Sequence, residues 1–155
     1  MKKKKPILKT IKNKRASFDY NLEDNLIVGI ELNGRETKAL RLGHGQLVGS
    51  YVNIRNNELY LVNALINSSN TMQIPENEQT RDRKLLAKRK EIDALMEAKK
   101  QGRSIIPTEI LTRGRYIKVR IALGKGKKKY DKRQTLKAKD QNRSIAREVN
   151  KVSSI

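Results

Sequence analysis

Few side chains in this sequence could attack a bond, carry a proton or grip a metal. There is no cysteine and only one histidine, which excludes disulfides, thiolate sites and histidine-based metal clusters. His44 stands between Gly43 and Gly45 and reads as a solvated turn residue rather than a general base. Glu36 and Lys38 are two apart and fall on different faces of a helix. Asp82 with Glu91 or Asp93 could be imagined as the carboxylate pair of a metal-dependent nuclease. Arg81, Arg83, Lys84, Arg89 and Lys90 crowd around them, however, so surface ion pairs are the expectation. Gly124-Lys125-Gly126-Lys127-Lys128 lacks the four-residue interval and the Lys-Ser/Thr of a phosphate loop. The chain reads as a non-enzyme with no metal and no cofactor.

What the sequence offers instead is charge. Its 155 residues hold 36 Lys and Arg against 16 Asp and Glu, a net +20. Residues 1–15 carry eight basic residues and no acid, and residues 124–155 carry eleven against Asp131, Asp140 and Glu148, so each end is +8. Residues 16–123 hold seventeen basic and thirteen acidic residues, only +4. A nearly balanced body thus bears two cationic arms. No apolar run suggests a membrane span, and neither arm has the broad apolar face of an interfacial helix. A cytoplasmic protein without membrane contact is expected, and its partner is nucleic acid, because each cation that neutralises a phosphate releases counterions. With six aromatic residues in all, stacking on single strands has little support; recognition of a folded RNA by shape and phosphate fits better.

Two-residue alternation dominates the body that must position these charges. Leu26 to Leu32 buries its even-numbered positions, and Tyr116 to Leu123 buries Ile117, Val119, Ile121 and Leu123 while presenting Lys118 and Arg120 on a wet, basic face. Leu47 to Arg55 and Glu58 to Ile66 flank Asn56-Asn57, which suits a tight hairpin turn, and Ile106 to Thr112 pairs with Arg115 to Leu123. With Phe18 to Glu23 and Arg83 to Ala87, six or seven strands form a mainly β fold. The expected architecture is a small closed antiparallel barrel of oligonucleotide-binding type with two or three flanking helices and basic disordered termini. One helix begins at the capping box Asn33 to Glu36 and ends at Gly43; another runs from Lys88 to Gln101 before Gly102. Asn67 to Gln79 reads as a mobile surface loop.

The boundaries expected are a basic disordered arm over 1–12, the RNA-binding barrel over 13–123 and a basic tail over 124–155. From Thr135 the tail has no Gly or Pro, and Lys139, Arg143, Arg147 and Lys151 recur every four residues, beside an apolar stripe of Ile145, Val149 and Val152. Like charges at that spacing weaken an isolated helix, so the tail is expected to order on a polyanion. Tyr130, beside Asp131, Lys132 and Arg133, either stacks on a base or folds back on the barrel.

Asn13-Lys14-Arg15-Ala16 with Tyr20, Gly34 to Gly43, Ser50-Tyr51, Arg81-Asp82-Arg83-Lys84-Leu85-Leu86 with Arg89-Lys90-Glu91-Ile92, and Lys125 to Arg133 occur in the order and spacing of the small protein B family. These are the SsrA-binding proteins of bacterial trans-translation, and the resemblance covers roughly 13–133. It implies binding to the tRNA-like domain of transfer-messenger RNA and its delivery, with elongation factor Tu, to stalled ribosomes, the tail entering the messenger channel near the decoding centre of the small subunit. RNA contacts would fall to Asn13, Lys14, Arg15, Glu36, Lys38, Arg41, Arg83, Lys84, Lys88, Lys125, Lys127 and Lys128. Ribosome contacts would fall to Tyr130, Asp131, Lys132, Arg133, Lys139, Arg143, Arg147 and Lys151. The sequence departs from the family at Ile27, where an acidic residue is common, at Lys88, often His or Asn, and at Tyr130, often His. A monomer is expected. The alternative reading is a ribosomal structural or assembly protein that binds folded ribosomal RNA.

Overall fold

A computed structural model describes residues 10–153. Along the chain run β1 (Ile11–Lys12), α1 (Ala16–Asp19), β2 (Tyr20–Ile30), α2 (Gly34–Arg41), β3 (Gly45–Gln46), β4 (Tyr51–Arg55), β5 (Glu58–Val62), β6 (Leu65–Ile66), α3 (Glu76–Gln79), β7 (Arg83–Leu86), α4 (Arg89–Lys100), β8 (Ser104–Leu111), β9 (Lys118–Gly126) and α5 (Lys129–Ser153). Seven strands form one antiparallel sheet in the order β1-β8-β9-β2-β7-β5-β4, while β3 and β6 pair separately. Alternation on β9 sends Val119, Ile121 and Leu123 inward, opposite Val28 of β2 and Ile105 and Ile110 of β8. Leu59, Leu61 and Leu85 extend this core, which α2 covers with Ala39 and Leu40 and α4 with Ile92, Leu95 and Ala98. Each such fully buried Leu or Ile contributes about 1.5–3 kcal/mol.

Local chemistry sets the helix ends. Asn33 Oδ1 accepts from Glu36 N at 2.9 Å, and the Glu36 carboxylate accepts from Asn33 N at 3.2 Å, completing the expected capping box. At α4 the Glu91 carboxylate accepts from Lys88 N at 2.8 Å, and Gly102 ends the helix with φ +84°. The hairpin turn is as expected too: Asn56 and Asn57 take φ +50° and +61°, joining β4 to β5.

Four expectations change. Phe18 belongs to α1, and the strands expected at Phe18–Glu23 and Leu26–Leu32 are the single strand β2, interrupted by a bulge at Asp24 with φ +50°. An extra residue shifts the alternation by one, so one strand reads as two. The segment 67–79 is fastened rather than loose: Ile74 is buried, and its N–H and C=O both bond the Ser68 hydroxyl at 2.8 Å. Ile11 is buried against β8, so the body starts inside the arm drawn over 1–12; the rest of that arm, 1–9, lies outside the described residues. The C-terminal arm is helical from Lys129, six residues before Thr135, and none of its side chains is buried.

The barrel is not closed. β4 and β8 approach with Cα atoms within 8 Å, yet among the described residues no backbone hydrogen bond joins them. β1 covers only Glu109 and Ile110 of β8, and the carbonyls just before these are taken by Asn13. Its backbone N–H donates to Thr108 O at 2.8 Å and its side-chain Nδ2 to Pro107 O at 2.9 Å. Pro107 itself has no N–H to offer a closing strand.

Candidate nucleic-acid interface

Because residues opposite one another on adjacent strands share a face, strand register lays out the solvent side of the sheet. One row runs Leu86, Gly29, Lys118 and Leu111 across β7, β2, β9 and β8. The next runs Ile27, Arg120, Glu109 and Lys12 across β2, β9, β8 and β1. Lys84 extends the surface on β7 and sits opposite Tyr60 of β5. Ile27 and Leu86 are 47% and 49% exposed, so two bare apolar side chains lie at the centre with cations around them. Gly29 keeps the centre shallow: a Cβ there would lie 3.2 Å from the Leu86 Cβ.

Some of these cations are held and some are not. Lys84 Nζ pairs with Glu58 at 2.9 Å, and Arg120 with Glu109 at 2.8 Å. Hydrogen bonds from Lys84 and then from the Tyr60 hydroxyl hold the Glu58 carboxyl below its ordinary range, so Lys84 keeps its anion wherever the protein is folded near neutral pH. Lys12, Lys88 and Lys118 are exposed and have no salt bridge among the described residues, which leaves their ammonium groups available to phosphate. Tyr116, exposed at the start of the same edge, has Arg115 over its ring at 5.5 Å.

Of the site residues expected from sequence, this face collects Lys84 and Lys88; Lys14 stands exposed at its β1 side, and Lys125 and Lys128 lie exposed where β9 leads into α5. Lys38 is exposed on α2. Lys127 is half-buried, its backbone N–H donating to Asp19 O at 2.9 Å and its Nζ to Thr135 Oγ1 at 3.2 Å.

Glu36, Arg83, Arg41 and Asn13 require correction as RNA contacts. Leu61 and Arg83 are cross-strand partners, so alternation points Arg83 inward, where it is 0% exposed, as is Glu36. Arg83 Nε donates to Glu36 Oε1 at 3.1 Å, and its remaining nitrogens donate to the carbonyls of Ala64, Arg81, Glu78 and Gln79. Arg81 closes a two-point fork on the same carboxylate, both bonds 2.7 Å. Burial by itself would raise the Glu36 pKa, but the Arg81 bonds, the Arg83 charge and the Asn33 N–H bring it below the ordinary value. This network ties α2 to β7 and the segment before it. Arg41 likewise donates to the carbonyls of Thr112, Gly114 and Arg115, fixing the turn between β8 and β9. Asn13, as described, straps β8. The carboxylates considered for a nuclease do not converge: Asp82 pairs with Arg55 at 2.7 Å and Asp93 with Arg89 at 3.3 Å.

At the root of α5, Lys132 pairs with Asp19 at 3.4 Å and lies 5.9 Å from the Phe18 ring centroid, which Arg15 covers from 5.2 Å. Tyr130 points outward, 69% exposed, its hydroxyl accepting from Gln134 at 2.8 Å, so it does not fold back onto the sheet. Asp131 and Arg133 are exposed beside it, and Lys139, Arg143, Arg147 and Lys151 recur along exposed positions. Leu136, Ile145, Val149 and Val152 are the exposed apolar residues of the same helix. Sequence reasoning left Lys118, Arg120, Leu86 and Tyr116 out of the site, although the Lys118–Arg120 alternation already marked the wet face of β9. No helix among the described residues is long and apolar enough to cross a membrane.

Known proteins resemble this chain over most of its length. The family model described as SmpB protein matches residues 10–151. An SsrA-binding protein of Acholeplasma laidlawii is 43% identical over 129 residues, covering 83% of this chain and 87% of that one. One from Staphylococcus aureus is 39% identical over 150 residues, covering 96% and 97%. Among solved structures, a chain from work described as "tmRNA-SmpB: a journey to the center of the bacterial ribosome" superposes with a TM-score of 0.65 at 33% identity, covering 77% of this chain and 85% of that chain.

Proposed function

The chain belongs to the SmpB family, and from that membership we propose that it binds the tRNA-like domain of transfer-messenger RNA and delivers it to stalled ribosomes for trans-translation. The observation that carries the assignment of surfaces is the pair of cross-strand rows centred on Ile27, Gly29 and Leu86, with Lys12, Lys88 and Lys118 uncommitted around them. A shallow apolar centre accepts the sugar edge of an RNA helix and the ring of ammonium groups meets its phosphates, which reads shape rather than base sequence. Where relatives often carry an acid, Ile27 replaces a polar contact by an apolar one. Lys88, in place of His or Asn, adds a phosphate contact.

The protein acts by binding, as an RNA-binding family member and not as an enzyme. The body over 13–123 carries the RNA, and the tail over 124–155 meets the small subunit near the decoding centre and messenger channel, helical when bound. There Tyr130, Asp131, Lys132 and Arg133 lie at the entrance, and Lys139, Arg143, Arg147 and Lys151 follow the channel wall. Delivery as a cytoplasmic monomer together with elongation factor Tu completes this reading. Deleting 131–155 tests the division. RNA binding is retained and tagging on stalled ribosomes is lost; loss of RNA binding would refute it. Sequencing RNA that copurifies at rising salt distinguishes one dominant tRNA-like species from bulk ribosomal RNA, the latter being the outcome for a ribosomal structural protein.

A further inference from the structure

We propose that the open seam between β4 and β8 is a second RNA site, a cleft that receives one unstacked nucleotide. The seam forms a cavity of about 410 Å³, within the range of small-ligand sites. Its walls are two strand edges. On β8, Pro107 turns its carbonyl outward to Asn13, so strand alternation turns the N–H and C=O of Ile105 to the same side. On β4, Ile54 N–H turns out to the Asn53 side chain at 2.9 Å, so Val52 two residues earlier also presents its N–H and C=O to the seam. No backbone bond between these strands satisfies them among the described residues. Asn13 lines the same cavity, and its Oδ1 is buried without a hydrogen-bond partner.

A peptide strand does not fit here, because inserting one would need about twice the 4.8 Å strand spacing while the Cα atoms of β4 and β8 already approach within 8 Å. A planar base does fit, and backbone N–H and C=O groups are the donors and acceptors that its edge requires. The mouth suits the rest of a nucleotide. Tyr51 is 43% exposed beside it, offering a stacking face. Arg15, Lys99 and Arg103 line it as phosphate partners. Their present engagements are light or neutral: Arg103 stands 3.7–3.8 Å from Asp24 and Glu23, Arg15 is 3.6 Å from Asp19, and Lys99 donates to Asn53 Oδ1 at 2.9 Å. Asp19, the acid in the lining, is already paired on its other side by Lys132.

This inference rests on the chain being an RNA-binding protein but not on the outer face, and its test separates the two. The full chain, labelled with nitrogen-15, is titrated with adenosine 5′-monophosphate and, in parallel, with inorganic phosphate. The nucleotide moves the amide signals of Val52 and Ile105, whereas phosphate alone leaves them in place. Combining Tyr51→Ala with Arg103→Gln weakens nucleotide binding about fivefold or more and leaves affinity for transfer-messenger RNA within about twofold. Equal shifts with phosphate, or none at Val52 and Ile105, would overturn the site while leaving the outer-face reading untouched. A photocrosslinker in place of Tyr51 then separates two sources of the nucleotide, the bound transfer-messenger RNA alone or ribosomal RNA once the complex is on ribosomes. RNA crosslinks in either arm support the cleft, and none in both refutes it.

Discussion

Replacing Glu36 by Gln separates an internal role from an RNA-contact role. The substitution preserves shape and removes the charge that faces two guanidinium groups. Arg81, about a third exposed, swings into water at little cost, but Arg83 is fully buried and cannot. An uncompensated buried charge costs about 3–5 kcal/mol, and the four carbonyls that still bond Arg83 place this case near the lower end. For a chain of this length the melting temperature then falls by about 10 °C, read by circular dichroism at pH 7 without RNA. The pH dependence supplies a second readout. Because the folded Glu36 pKa lies below its ordinary value of 4.5, its stabilisation is fully present above that value and is lost as pH falls through the folded pKa. The gap between wild type and variant is therefore widest at neutral pH and narrows below about pH 4.5. An apolar pair, Glu36→Leu with Arg83→Met, recovers much of the loss. A variant that melts like wild type at pH 7 yet binds RNA weakly would refute this account and return Glu36 to the interface.

Lys88→Ala and Lys118→Ala should each flatten the dependence of log affinity on log salt by about one unit for transfer-messenger RNA, measured by filter binding; an unchanged slope would mean that the ammonium groups miss the phosphates. Asn57 holds φ +61°, so Asn57→Gly should leave stability unchanged or raise it by about 0.5 kcal/mol, while Asn57→Val lowers it by about 1–2 kcal/mol in urea unfolding. Phe18→Ala with Asp19→Asn removes a surface ion pair and a cation–ring contact worth about 1 kcal/mol together. Trypsin should then cut after Lys132 or Arg133 about fivefold faster, and an unchanged rate would show that the root is held by something else.

Periodic signals were readable in the sequence where one residue's neighbours settle its direction. The Asn33 capping box, the Asn56-Asn57 turn and the inward row of β9 need only local chemistry, and they stand as expected. What was hidden depends on partners distant in sequence. Arg83 looks like its neighbour Lys84 in a basic run, and only pairing with Leu61 shows that one points inward and the other outward. Asn13 belongs to an Asn-Lys-Arg run that suggests phosphate, yet its amide is engaged 94 residues away at Pro107. The bulge at Asp24 concealed the continuity of β2 because a single inserted residue inverts the pattern on which strands are recognised. The interface centre escaped for the opposite reason: Leu86 and Ile27 are apolar, and exposure of an apolar side chain is a property of the sheet rather than of the residue.

The joint at Asp19 also has a mechanical meaning. Its backbone carbonyl receives Lys127 N–H, and its carboxylate receives Lys132, so the place where α1 becomes β2 is also the place where β9 becomes α5. With 25 residues at 1.5 Å each, α5 is a lever about 37 Å long whose fulcrum is one turn of helix resting on the sheet. A swing of about 20° at that fulcrum sweeps the far end through about 13 Å, a displacement larger than a helix diameter, while the strands on either side need shift by only a fraction of it. Aim, at the distant tip, is therefore set by a contact between two short side chains and a ring.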